Sequence, residues 1–391
     1  MTILVINCGS SSLKLAVIDP VSAQRSATAL AQRLGSAEAD LRLEVGNERI
    51  DLALPMADHA AVLRQLVDLL SARGLIAGIS GIGHRVVHGG TQFSASARIG
   101  RDVLAGIAAC VPLAPLHNPA NLLGIDLCGQ LLPTLPQVAV FDTSFHSSLP
   151  ARASTYAVPR EWRERLGVRR YGFHGTSHRF VSARATSLLP EIPHPRLITA
   201  HLGNGCSCAA IANGISLDTT MGLTPLEGLV MGTRSGSLDP AIVTHVAKAT
   251  GSTADQVVAQ LNADSGLKAL SGISNDMRTI LAAAQSGQAE ALLAVEVFCY
   301  ALAKHIAGQV VALGGLDALV FTGGIGEHSP DIRAQAVGLL GFLGLRLDPQ
   351  RNAEHGRTSA NRVSADGSVM VLVVPTDEEL LIAQDTAAML A

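Results

Sequence analysis

The chain contains no Gly-Lys pair, and therefore no GxxxxGK[ST] motif, which excludes a Walker-type phosphate loop. No GxGxxG follows a strand and opens a helix, so a Rossmann dinucleotide site is disfavoured. Lysine is scarce: Lys14, Lys248, Lys268 and Lys304 are the only four among 29 basic residues. Any anion site is then expected to use arginine forks. The six cysteines lack CxxC spacing, which favours buried thiols over disulfides or zinc. Cys206 and Cys208 have the spacing of neighbours on one strand face. The sequence reads as lacking a basic run, a basic leader and an 18-residue apolar stretch, and its formal net charge is -3. We expect a cytoplasmic protein that binds small molecules, with no nucleic-acid or membrane partner.

What is present is an ordinary globular composition, 48% apolar and 16% charged over 391 residues. That length suits two or three domains. An apolar run at residues 3–6 leads into a Gly/Ser turn at residues 7–12 and an alternating run at 13–17. The same grammar recurs at residues 197–202, 203–207 and 208–211. Two strand-turn-strand units half a chain apart suggest a duplicated α/β domain with each turn facing a shared cleft. Polar residues between 150 and 170 mark the expected junction.

Apolar residues at three- and four-residue steps predict a helix over 288–313. Residues 318–321 read as a buried strand, followed by a glycine loop at 322–327 and a helix opened by Ser329, Pro330 and Asp331. Ligands bind at such a strand-loop-helix junction in open α/β sheets. Residues 370–374 predict a strand, and Thr376 with Glu379 has capping-box spacing before the C-terminal helix. Glu378 is then the freer carboxylate.

Three glycine and hydroxyl turns, at 7–12, 203–207 and 323–326, could present backbone N–H groups to phosphate oxygens, or could simply be structural turns. Arg85 and Arg234 both sit among glycines, which suits bidentate contact with a carboxylate or phosphoryl group or a surface ion pair. Asp142 lies just past a buried strand, as a catalytic acid, an arginine-orienting acid or a helix cap. His174 and His178 have helical metal-site spacing, but Gly175 interrupts them and no HExxH glutamate is present. The better reading is a histidine donating to an anion, beside the alternative of a structural histidine.

The runs NCGSSSLK, HRVVHGG, PLHNP, FDTSFH, YGFHGTSH, HLGNG, GTRSG, FTGGIGE and TDEE occur in this order. On them the chain resembles the acetokinase family over essentially its whole length. The resemblance implies the superfamily of acetate and sugar kinases, heat-shock chaperone ATPases and actin. The expected fold is α/β, two duplicated actin-like or sugar-kinase-like (ribonuclease H-like) domains with the active site in the cleft between them. The expected domains are 1–150 plus the helix 378–391, holding the acyl and phosphate groups, and 151–377, binding nucleotide.

The implied activity is reversible, ATP-dependent phosphorylation of acetate to acetyl phosphate, a phosphotransfer to a carboxyl group. Propionate or butyrate kinase is the alternative, and an actin-like nucleotide-switched binding protein the rival outside the class. Implied cofactors are Mg²⁺, with Mn²⁺ as a substitute, and ATP/ADP as co-substrate; the implied assembly is a homodimer. By resemblance Arg85, Asp142, His174 and Arg234 are catalytic, and Val87, Leu116, His117, Phe173 and Pro225 bind the acyl substrate. Gly203, Asn204, Gly205, Asp276, Met277, Arg278, Gly323, Gly324, Ile325 and Gly326 serve the nucleotide, and Asn7 and Glu378 the metal. Cys8, His328 and Asp377 depart from the commonest family residues.

Overall fold

The computed structural model describes all 391 residues, which divide into two compact units. Unit 1 comprises Met1–Ser147 and Asp377–Ala391, and unit 2 comprises Ser148–Thr376. Residues 150–170 are not a bare linker. They carry the short helices Ala151–Ser154 and Arg160–Arg165 and are tied into unit 2, where Arg170 N–H donates to Ser154 and Tyr171 N–H to Gly222.

Unit 1 holds strands β1 (Thr2–Cys8), β2 (Leu13–Ile18), β3 (Arg25–Gln32), β4 (Asp40–Val45), β5 (Glu48–Ala53), β6 (Ile79–Val86), β7 (Ala97–Arg98) and β8 (Gln137–Phe141), in the order β5-β4-β3-β2-β1-β6-β8-β7. Unit 2 holds β9 (Arg196–Leu202), β10 (Cys206–Ala212), β11 (Ile215–Thr219), β12 (Ala318–Thr322) and β13 (Met370–Val373), in the order β11-β10-β9-β12-β13. In both, three antiparallel strands lead into two parallel ones, and in unit 1 β4 and β5 extend the antiparallel side while β7 adds an antiparallel edge at the other. The stretch β3-β2-β1-β6-β8 thus repeats as β11-β10-β9-β12-β13. The duplication expected from the two hairpins is present in the topology itself, in the ribonuclease H-like plan that the family resemblance implies.

The central strands are apolar runs because helices cover both faces. In unit 1, Leu4, Ile6 and Ile82 pack with Leu63, Leu66 and Leu127, from the helices His59–Ala72 and Asn118–Leu131. On the opposite face Gly81 and Gly83 let the helix Glu378–Leu390 approach closely, with Leu390 and Thr386 occupying the space a Cβ would need. In unit 2 the helix Ala289–Leu313 buries Ala294, Phe298, Leu302 and Ile306 and packs on β9 and β10. By length and composition alone this helix is long and apolar enough to cross a membrane, where the sequence reading finds no 18-residue apolar stretch. Cys206 and Cys208 are both buried on β10, and all six cysteines are free.

Two local expectations change. The segment after β12 is a short helix, Gly323–His328, that begins directly at the strand end. The C-terminal helix is capped by Asp377, which accepts from Leu380 N–H at 3.0 Å. Thr376 is engaged elsewhere: its hydroxyl meets Ser177 and its N–H donates to Glu327. Glu379 pairs with Arg25 at 3.6 Å and does not close a capping box.

Candidate functional site

In unit 1 the carboxyl ends of the parallel strands β6 and β8 place Arg85 beside Asp142. Arg85 Nη2 and Nε donate to the two carboxylate oxygens at 2.5 and 3.2 Å, a bidentate fork. Asp142 is 1% exposed, and the fork gives its buried carboxylate a charged partner. Glu378, first residue of its helix, lies 4.0 Å from Arg85 Nε. Burial opposes the guanidinium charge, but Asp142 and Glu378 outweigh it and raise the Arg85 pKa. Asn7 is the penultimate residue of β1, half-buried and opposite Lys14 in the register.

The backbone after Arg85 is held by two buried amides that the sequence reading missed. Val87 N–H donates to Asn121 Oδ1 at 3.0 Å and His88 N–H to Asn118 Oδ1 at 3.1 Å. Asn118 returns a bond to His88 O, Asn121 one to Cys8 O, and Thr143 accepts from Gly89 N–H. Val87 itself is buried, whereas Leu116 is exposed; His117 occupies the N-cap position of the helix Asn118–Leu131. Asn118 stands inside the PLHNP run, and that was its only signal.

In unit 2, His174 precedes the helix Gly175–Ser187 with a left-handed backbone, φ 56°. A non-glycine residue pays roughly 1 kcal/mol for that conformation, a cost found at functional positions. It also places His174 outside the helix, so the metal-type spacing with His178 is not a helical pair. Both imidazoles meet Ser207: His174 Nδ1 at 2.9 Å and His178 Nε2 at 2.8 Å. His201 lies against His174 with centroids 4.4 Å apart and the ring planes tilted by 33°. Arg234 Nη1 donates to Pro225 O at 2.9 Å. A Cβ on Gly205 would lie 3.1 Å from His174 Nε2 and 3.5 Å from Arg234 Nη1, so both groups converge on this glycine. Phe173, the residue before His174, is buried. No group of three His, Cys, Asp or Glu side chains forms a metal cage anywhere.

A cavity of about 640 Å³ in the same unit is lined by Gly203, Asn204, Asn275, Asp276, Met277, Arg278, Leu281, Gly324, Ile325 and the segment 328–331. It collects most of the expected nucleotide residues. Asp276 caps the helix Met277–Gln285 and pairs with Arg278 at 2.6 Å, and the Arg278 hydrogen bond lowers its pKa. Gly205, Gly323 and Gly326 do not line the cavity. Gly323, at φ 75°, lets the chain turn against the Leu202 backbone. Gly326 packs near Phe321 and Ala200. The short helix Gly323–His328 is fixed from behind by Arg333, fully buried, which donates to Gly326 O and Glu327 O, while Asn352 accepts its Nε–H at 2.7 Å. Burial pushes the Arg333 pKa down to about 10. Its position on the helix Pro330–Gly338 carries no motif that would have announced it.

Comparison with known proteins supplies the context for these groups. The model of the acetokinase family matches residues 2–384. The acetate kinase of Ectopseudomonas mendocina is 53% identical over 390 residues, covering 99% of this chain and 98% of its own length. That of Deinococcus deserti is 52% identical over 393 residues, covering 100% and 98%. Among solved structures, a propionate kinase from Francisella tularensis superposes with a TM-score of 0.95 at 43% identity, over 99% of both chains. The Porphyromonas gingivalis acetate kinase gives 0.91 at 40% identity, over 100% of both.

Proposed function

The chain belongs to the acetokinase family, and from that premise we propose that it transfers the γ-phosphoryl group of ATP to acetate, reversibly, giving acetyl phosphate and ADP. The observation that carries this reading is that unit 1 holds an arginine-carboxylate fork while unit 2 holds a histidine and a second arginine converging on Gly205 and, in the same unit, a nucleotide-sized cavity.

The nucleophile is acetate, whose carboxylate is ionised at neutral pH with a pKa of about 4, so no general base is needed. The demand is electrostatic: an anion has to reach a polyanion through a loose, in-line transition state. Arg85 and Arg234 hold the carboxylate and the phosphoryl in flight, and His174 donates to an equatorial phosphoryl oxygen. Asp142 orients Arg85 instead of taking a proton, because its two oxygens already accept from the fork. Val87, Leu116, His117, Phe173 and Pro225 shape the acyl side. Gly203, Asn204, Asp276, Met277, Arg278, Gly324 and Ile325 surround the nucleotide, with Gly205, Gly323 and Gly326 setting backbone positions.

Mg²⁺ bound with a nucleotide takes one or two protein oxygens and keeps phosphate and water as its other ligands. The donor set here fits that pattern: Asn7 and Glu378 offer hard oxygen ligands without a cage. The ion would neutralise charge on the β- and γ-phosphates when bound. Asn7 and Glu378 are the residues that would hold it, and Mn²⁺ would substitute.

The protein acts in the cytoplasm as a homodimer. Supporting the dimer, the helix Ala241–Thr250 buries none of its residues within its own unit, although Ile242, Val243 and Val246 are apolar. Light scattering should give twice the chain mass. A hydroxamate assay with ATP and acetate, propionate or butyrate tests the activity: acetate should be the best acceptor. Preference for propionate would move the assignment to the neighbouring kinase class, and no acyl phosphate at all would remove it.

A further inference from the structure

His178 is fully buried, and both of its ring nitrogens meet hydroxyls. Nδ1 lies 2.7 Å from Thr199 Oγ1 and Nε2 lies 2.8 Å from Ser207 Oγ, which in turn meets His174 Nδ1 at 2.9 Å. The strand register explains the grouping. Thr199 faces Ala209 and His201 faces Ser207 across β9 and β10, so Thr199, His201 and Ser207 share the sheet face that the helix Gly175–Ser187 covers.

A hydroxyl has one proton, and a neutral imidazole has one N–H and one lone pair. Ser207 is wholly buried with the two rings as its hydroxyl partners, so its proton goes to one ring while the other ring donates to it, and with neutral rings the four groups have only two consistent orders. Thr199 decides between them. Its hydroxyl is wholly buried and has the His178 ring as its partner, so its proton is satisfied only by donation to Nδ1. His178 then carries its hydrogen on Nε2 and donates to Ser207, and Ser207 donates to His174 Nδ1. The remaining hydrogen of a neutral His174 stands on Nε2, the atom beside Gly205 and Arg234.

We propose that Thr199, His178 and Ser207 form a positioning relay that holds His174 as the neutral Nε2–H tautomer, ready to donate to a phosphoryl oxygen without first being protonated. This rests on the reading of His174 as the phosphoryl donor. His178 and Ser207 touch no substrate in this scheme; they act through His174. The relay also accounts for the left-handed backbone at His174, since that turn aims Nδ1 inward at Ser207 and leaves Nε2 on the Gly205 side.

The test combines spectroscopy and kinetics on the full chain. Long-range ¹H–¹⁵N correlation on histidine-labelled protein, with His174→Gln and His178→Gln used for assignment, should show both rings as Nε2–H tautomers. Either ring found as Nδ1–H overturns the relay, whatever the activity. In Ser207→Ala, turnover should fall roughly tenfold, the scale of one oriented hydrogen bond, with both Michaelis constants within about twofold. Thr199→Ser, which keeps the hydroxyl, should retain more turnover than Thr199→Val. Equal turnover in those two variants, or a Ser207→Ala defect confined to the Michaelis constants, sinks the proposal. Near-normal turnover in His174→Ala would instead sink the underlying reading of His174, while leaving the tautomer measurement intact. If Ser207→Ala fails to fold, the wild-type spectrum and the Thr199 pair still decide.

Discussion

Units 1 and 2 share one five-strand plan and carry different groups at its strand ends. At the strand ends of unit 1 the working groups are full charges: Arg85 is clamped between Asp142 and Glu378. At the corresponding end of unit 2 a single arginine, Arg234, stands among hydroxyls, imidazoles and backbone arranged around Gly203, Gly205 and Gly323. The contrast follows from what each unit is proposed to hold. A small monoanion and a hydrated cation are best met by fixed charges, whereas a nucleotide polyphosphate is best met by many modest donors and by chain without side chains in the way. Fold alone dictates neither.

The sharpest way to break this contrast is to remove the arginine from each unit. Arg85→Ala and Arg234→Ala should each lower turnover by about 100-fold or more, and Arg→Lys should recover little because a point charge cannot reproduce a fork. Stability should separate them. Arg85→Ala strips a buried carboxylate of its fork and should cost about 3 kcal/mol, whereas Arg234→Ala removes a bond to a backbone carbonyl and should cost less. Equal melting temperatures would break the comparison.

Next in size is the neutral side. His174→Ala should lower turnover by about 100-fold with smaller changes in Michaelis constants, and His178→Ala should be milder. The reverse order would transfer the donor role to His178. A smaller effect is expected at the acyl pocket. Val87→Ala should shift the ratio of specificity constants toward propionate by about tenfold, within the range one methylene can supply. An unchanged ratio would remove Val87 from the pocket.

Last comes an effect on stability with none on turnover at neutral pH. Burial lowers the His84 pKa from 6.5 to about 4, so the ring stays neutral in the folded chain. As pH falls from 6.5 towards 4, the unfolded chain takes up the proton first and stability drops, by roughly 1–3 kcal/mol, levelling off below pH 4. Denaturant titrations across that window should show the slope, and His84→Gln should flatten it. A wild-type stability that stays level between pH 6.5 and 4 would count against a neutral buried His84.

Much of this architecture is legible in the sequence because the proposed chemistry needs particular residue types at strand ends and in the glycine-rich loops. Arg85, Asp142, His174 and Arg234 stand in runs whose glycines and polar clusters have no role in a plain core. The supporting residues are harder to see. Asn121 lies far along the chain from the Cys8 carbonyl it binds, and no periodicity or local motif announces such a pairing. Ser207 reads as one more polar turn residue until two imidazoles meet it. The capping box failed for a related reason: Thr376 and Asp377 are both good caps by local rules, and only the folded chain shows Ser177 and Glu327 engaging Thr376. The helix at Gly323–His328 was read as a loop because its glycines signal turns when counted alone.

The return of the helix Glu378–Leu390 to unit 1 has a consequence for synthesis on the ribosome. Unit 2 is one continuous segment and can close as soon as Thr376 emerges, whereas unit 1, begun first, has to wait for a helix translated after all of unit 2. In that interval the sheet face carrying Ile3, Val5 and the bare backbone at Gly81 and Gly83 lacks its cover. The half of the protein made earliest is therefore completed latest, and it is the half a nascent-chain chaperone would have to shield.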